Sequence, residues 1–193
     1  GGIDRLICVD SFAVNNVLAA SLRVDQRDLV DILVDVETYG GSGGAFAVMS
    51  LHPASREIAL HEIGHTLGLL ADEYDLGPPA CSTSFEPIEA NVTVQTNRAL
   101  IKWTAWIDNT TPIPTTSTQL GIPGLYEGAK YCPLGVYRPT FDSKMRSLNR
   151  PFEQINTEQL TKRFYNFVSP IETAAPDAVN LIATLGEIQS FTV

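Results

Sequence analysis

The amino-acid sequence predicts an α/β domain, on three observations. Apolar runs with strand and helix periodicity alternate over the first fifty residues. An amphipathic helix then follows, and a long stretch rich in Pro, Gly, Thr and Asn leads to one last helix.

Residues 5–9 (Arg-Leu-Ile-Cys-Val) read as a short buried strand, residues 13–22 carry apolar residues at helical spacing, and residues 29–36 form a second apolar run. This order, strand then helix then strand, predicts strands packed side by side with the helix over one face. Tyr39-Gly40-Gly41-Ser42-Gly43-Gly44 is a loop that glycine leaves conformationally free, and residues 45–50 read as a further strand at a sheet edge. From residue 53 to 70 the pattern is helical: Pro53 suits a first turn, and Ile58, Ala59, Ile63, Leu67 and Leu70 form an apolar face. Gly68 is expected to close this helix in the left-handed conformation. Residues 75–150 show few periodic runs and predict long loops. The last helix is expected to start near Asn156, with Asn156 and Gln159 at capping-box spacing, and to pack Leu160, Phe164 and Phe167 on the core. The expected division is a main domain over 1–168, a linker over 169–180 containing Pro170 and Pro176, and the opening strands of a truncated β-rich module over 181–193.

Composition narrows the function classes. With 193 residues, 44% of them hydrophobic, the chain can bury the core of one domain plus a tail. A formal net charge of -9 argues against nucleic acid and against an anionic membrane surface, since both require clustered Lys and Arg. No run reaches the ~18 apolar residues of a membrane helix, so a soluble chain is expected. The abrupt start at Gly1-Gly2-Ile3, without the basic start of a signal peptide, predicts a mature or trimmed form. Cys8, Cys81 and Cys132 are too few for a disulfide scaffold; the expected pairing is Cys81 with Cys132, with buried free thiols as the alternative.

Chemistry enters with His61-Glu62-Ile63-Gly64-His65, a His-Glu-x-x-His motif on the predicted helix. Residues at i and i+4 share one helix face about 5–6 Å apart at Cβ, so both imidazoles can reach one ion. Glu62 lies about 100° around the helix, beside the ion instead of on it, the position of a general base. A catalytic zinc takes three protein ligands and keeps a fourth position open. After a turn at Gly68, Asp72 and Glu73 arrive with suitable oxygens, and Asp72 is the first choice for third ligand with Glu73 the alternative. His52 has no partner at ligand spacing and is read as a capping or surface residue.

The longer string from His61 to Tyr74 resembles the signature of bacterial IgA-peptidase-like metallopeptidases. Tyr39-Gly40-Gly41-Ser42-Gly43-Gly44, Tyr126-Glu127-Gly128-Ala129, and Tyr137-Arg138-Pro139 leading to Lys144-Met145 match that family's other landmarks in order. The resemblance covers about residues 5 to 168. It implies a metzincin-like zincin domain with a mixed twisted sheet, a zinc-binding active-site helix, a loop-rich C-terminal half and a C-terminal helix. It implies that Gly68 ends the zinc helix and that Met145 forms a hydrophobic base under the metal, a role that overlaps with ordinary core packing. Metzincins carry their third ligand three residues after the glycine, which here is Ala71, so Asp72 is followed as candidates by Glu73 and, more distantly, Glu127. The family pattern often has Cys where this chain has Ser143, so no disulfide is expected there. Tyr126 and Tyr137 are candidate donors to a developing oxyanion, with Tyr137 preferred.

The implied activity is zinc-dependent hydrolysis of peptide bonds with Glu62 as general base. The expected partner is a protein or peptide bound in extended form by strand addition along the glycine loop and residues 45–50. The alternative is a non-catalytic zinc-containing binding module of the same fold, against which Glu62 counts because such a module needs no base. A structural zinc domain would want four protein ligands and a closed site. The resemblance also implies a secreted, periplasmic or cell-surface protein.

Overall fold

The computed structural model describes residues 5–76 and 84–169, together with Ser190. Two parallel strands form the body of the sheet. β1 (Asp31–Val34) pairs with β3 (Ala47–Ser50) from Asp31↔Ala47 to Val34↔Ser50, and β2 (Gly41–Ser42) runs antiparallel on the other side of β3. The sheet is therefore mixed, in the order β1-β3-β2. β3 is its central strand, not the expected edge: all four residues are buried, as a strand covered on both faces must be. The expected strand at 5–9 is reduced to a single parallel bridge between Leu6 and Gly41, because β2 is only two residues long and offers no further partner.

α1 (Ser11–Ser21) begins two residues before the predicted start, where Asp10 Oδ1 accepts from Phe12 N (2.9 Å) and Ala13 N (3.2 Å). None of its residues is buried, and Phe12 and Val17 remain exposed. α2 (Ser55–Thr66) carries the motif and packs Ile58 against Ala47 and Met49 of β3. Before it, His52 Nδ1 accepts from Ala54 N at 3.1 Å, a local capping role, and its ring stands edge-on to Tyr39.

The exit from α2 differs from expectation. The left-handed residue is Leu69 (φ 52), not Gly68, and Leu70 N reaches back to Gly64 O at 3.1 Å. Gly68 is needed for close approach instead, since a Cβ there would lie 2.6 Å from Gly64 O and 3.1 Å from a methyl of Leu160. α3 (Glu153–Phe164) completes this end: Gln159 Nε2 donates to Gly68 O and Arg163 Nε to Leu67 O, both at 3.0 Å. These are carbonyls that a helix terminus leaves without partners. Asn156 lies inside α3, not at its cap, and Phe164 and Phe167 are exposed while Leu160 is buried.

The stretch predicted as loops contains a β-hairpin, β4 (Tyr126–Ala129) with β5 (Cys132–Arg138), besides two short 3₁₀ turns at Arg98–Leu100 and Thr104–Trp106. Gly128, Pro133 and Gly135 masked it by lowering strand propensity. Its turn is formed by Lys130 and Tyr131, both left-handed, where such turns usually carry Asn-Gly. Among the described residues no helix is long and apolar enough to cross a membrane. The expected linker beyond Ser169, the module at 181–193 apart from Ser190, and Cys81 of the expected disulfide lie outside the described residues. Cys8 is an exposed free thiol.

Candidate metal centre

α2 brings His61 and His65 to one face, and each ring is fixed from behind. His61 Nδ1 donates to Lys144 O (2.9 Å) and His65 Nδ1 to Leu70 O (2.7 Å), which leaves both Nε2 lone pairs facing forward. They converge on Asp72. The two Nε2 atoms lie 3.1 Å apart, and Asp72 Oδ1 lies 3.0 Å from that of His61 and 3.2 Å from that of His65. A tetrahedral ion with ligands at about 2.0–2.1 Å sets its ligands about 3.3 Å apart. The observed triangle has nearly this size, and two nitrogens and a carboxylate oxygen suit zinc. Among the described residues, these three form the group able to hold a metal ion.

Burial opposes ionisation of Asp72, but the His61 and His65 imidazoles beside it and the Tyr131 hydroxyl outweigh it and hold the carboxyl well below its usual range. Burial draws His65 down, and the Asp72 carboxylate beside it more than reverses that. The pocket thus attracts positive charge.

Glu62, one residue along α2, is buried and lines the cleft that contains His61, His65 and Asp72. Burial raises its carboxyl above the ordinary glutamate value, more than the two neighbouring imidazoles lower it. The cleft has a volume of about 790 Å³ and runs between the glycine loop and the segment 146–148. The glycines are sterically required: a Cβ on Gly41 would stand 2.9 Å from Glu62 Oε1, and one on Gly43 would collide with the His65 side chain.

A sequence profile of the IgA Peptidase M64 family matches residues 1–123. The chain belongs to that family. Membership makes a peptidase, and the match spans α2 and the loop bearing Asp72 but ends before the hairpin. No curated protein sequence matches.

In this M64 chain Glu73, Glu127, Tyr126 and Tyr137 do not line the cleft. Glu73 turns its carboxylate into the core, where Oε1 accepts from Asn91 (3.0 Å) and Asn156 (2.8 Å) and Oε2 accepts from Ser143 Oγ (2.7 Å). Glu127 is exposed and accepts from Gly135 N at 2.9 Å. Tyr137, expected to support an oxyanion, is buried with Ile101, Trp103 and Leu125 in a cluster away from the cleft, and Tyr126 Oη donates to Ile122 O at 3.0 Å. Met145 is fully buried under the C-terminal half of α2 with Leu67, Leu70 and Leu160, and a Cβ on Gly64 would collide with its sulfur.

Sequence reasoning missed Tyr131, whose hydroxyl donates to Asp72 Oδ2, and Tyr74, whose ring stacks on His61 at a centroid distance of 6.5 Å. It also missed Asn91, which clamps Ala71 through its N–H (2.8 Å) and C=O (2.9 Å). Tyr74 ends the family signature string, a signal for position but not for role. Asn91 reaches the site from a segment with no motif of its own, and Tyr131 lies two residues beyond the Tyr126–Ala129 landmark, which does not extend to it.

Proposed function

We propose that this member of the M64 family is a zinc-dependent metalloendopeptidase in which His61, His65 and Asp72 hold the ion and Glu62 is the general base. The observation that carries the proposal is the triangle of His61 Nε2, His65 Nε2 and Asp72 Oδ1, with sides of 3.0–3.2 Å and both imidazoles tied at Nδ1. Bound there, zinc would polarise the scissile carbonyl and lower the pKa of water toward about 7. Glu62 would accept the water proton and return it to the leaving amine. Met145 beneath Gly64 and the antiparallel β2 beside the cleft support a metzincin-like arrangement.

The substrate would be a protein or peptide in extended form along the rim from Gly41 to Gly44. β3 is already paired on both sides and unavailable for strand addition. Gly41 is itself bridged by the chain's own residues, with Gly41 N donating to Arg5 O (3.0 Å) and Ile7 N to Gly41 O (3.4 Å), so an extended substrate would follow the rim beyond that bridge. On the family resemblance, the protein acts when secreted, in the periplasm or at the cell surface.

A non-catalytic binding module is the competing reading, and a buried carboxylate facing the cleft beside two ligands is a costly feature for it to keep. Cleavage of a peptide library separates the two. Glu62→Ala should retain zinc and lose about 10²–10⁴-fold in kcat/KM, whereas His61→Ala should lose both zinc and activity. A Glu62→Ala variant as fast as the parent contradicts the assignment.

A further inference from the structure

The loop that bears Asp72 is held from outside by the tip of the β4–β5 hairpin. Lys130 N donates to Asp72 O and Tyr131 N to Tyr74 O, both at 2.9 Å, so the two backbones are joined at Asp72 itself and again two residues beyond it. To make this pair of bonds, Lys130 and Tyr131 adopt φ of 51 and 66, a region that L residues other than Asn, Asp and Gly rarely visit. The outcome is that the Tyr131 hydroxyl meets Asp72. It donates to Oδ2, while Oδ1 faces the two imidazoles. Tyr74 Oη in turn donates to Tyr131 Oη at 3.3 Å, and the two rings meet edge-on.

A carboxylate has two equivalent oxygens and can approach an ion with either or with both. A hydrogen bond on one oxygen removes that freedom, since turning the carboxylate breaks the bond. We propose that Tyr131 is a positioning residue that fixes Asp72 as a one-oxygen metal ligand, with the strained hairpin turn as its mount. This rests on the zinc-peptidase reading above. Partners of this kind, one shell out from the ligands, typically alter metal affinity by about 10–100-fold.

The test uses Tyr131→Phe, which keeps the ring and the turn and removes only the hydroxyl. Zinc affinity is measured by competition with a chromophoric chelator, the visible spectrum is recorded with cobalt(II) in place of zinc, and the metal-free melting curve reports folding. Tyr131→Phe should melt close to the parent when metal-free, bind zinc about 10–100-fold more weakly and give an altered cobalt spectrum. In an Asp72→Ala background the same substitution should have no further effect on affinity, because its action runs through Asp72. Parent-like zinc affinity and cobalt spectrum in Tyr131→Phe, or an undiminished effect without Asp72, overturns the inference alone. If the parent binds no zinc, or His61→Ala binds it as tightly as the parent, the zinc-peptidase reading fails and this inference with it.

Discussion

Asp72 turns its carboxylate toward the Nε2 atoms of His61 and His65, whereas Glu73, one residue on, turns into the core to Asn91, Asn156 and Ser143. Glu73 N also donates to Met145 O at 2.8 Å, so this residue ties the ligand loop to the segment beneath α2. Glu73→Ala would strand three buried donors, at a cost of about 3–5 kcal/mol. Its melting temperature should fall by many degrees, and Glu73→Gln, which keeps the shape and one acceptor, should fall less. A Glu73→Ala variant with parent-like melting that has lost zinc would instead make Glu73 a ligand. At this scale the His-Glu-x-x-His spacing was legible because helical geometry alone sets which side chains share a face. The choice between Asp72 and Glu73 rested on proximity to the family's ligand position, and the hydrogen-bond partners that separate their roles lie 18 or more residues away in sequence. Ser143 illustrates the gap: its sequence signal was a missing cysteine, while its hydroxyl is a donor to Glu73.

α2 is pinned at its first turn as well as at its end. Lys144 Nζ pairs with Glu57 Oε2, which also accepts from Asn149 N at 2.9 Å, while Lys144 O receives His61 Nδ1. The Lys144 hydrogen bond, and then the Asn149 N–H, hold the Glu57 carboxyl below its usual range. A carboxyl whose pKa is lower in the folded than in the unfolded chain stabilises the fold above the unfolded value, about 4.3, and loses that contribution as pH falls through the folded value. Glu57→Gln should therefore melt below the parent at pH 7, with the difference closing in strong acid. A difference that stays constant down to pH 2 would mean that the ion pair contributes nothing. Elements with strong periodicity, α2 above all, were legible in the sequence. The hairpin was not, because its turn residues lack the usual Asn-Gly and its strands carry glycine and proline. The run at β3 reads as a strand, but a short apolar run does not reveal how many neighbours cover it, so its central place in the sheet is not legible.

Across the molecule, α2 is clamped between two apolar clusters, one with Ala47 and Met49 of the sheet and one with Met145 and Leu160 beneath it. A third cluster, in which Ala71 packs with Val92 and Ala129, sets the ligand loop against the hairpin. The candidate metal donors thus stand where three apolar clusters meet, and the cleft opens beside Gly41 and Gly43, where a side chain would collide. The α/β character and the order of the helices could be read from pattern, while these junctions depend on contacts between segments far apart in the chain. In the proposed function His61, His65 and Asp72 share one zinc ion. Anomalous diffraction at the zinc edge from crystals of the zinc-loaded protein would locate it. The expected result is a single strong peak about 2.0–2.2 Å from His61 Nε2, His65 Nε2 and Asp72 Oδ1, with a fourth position open toward the cleft. No peak among these three residues in a zinc-loaded crystal, or an ion bound by Glu73, Glu127 or His52 in their place, would contradict it.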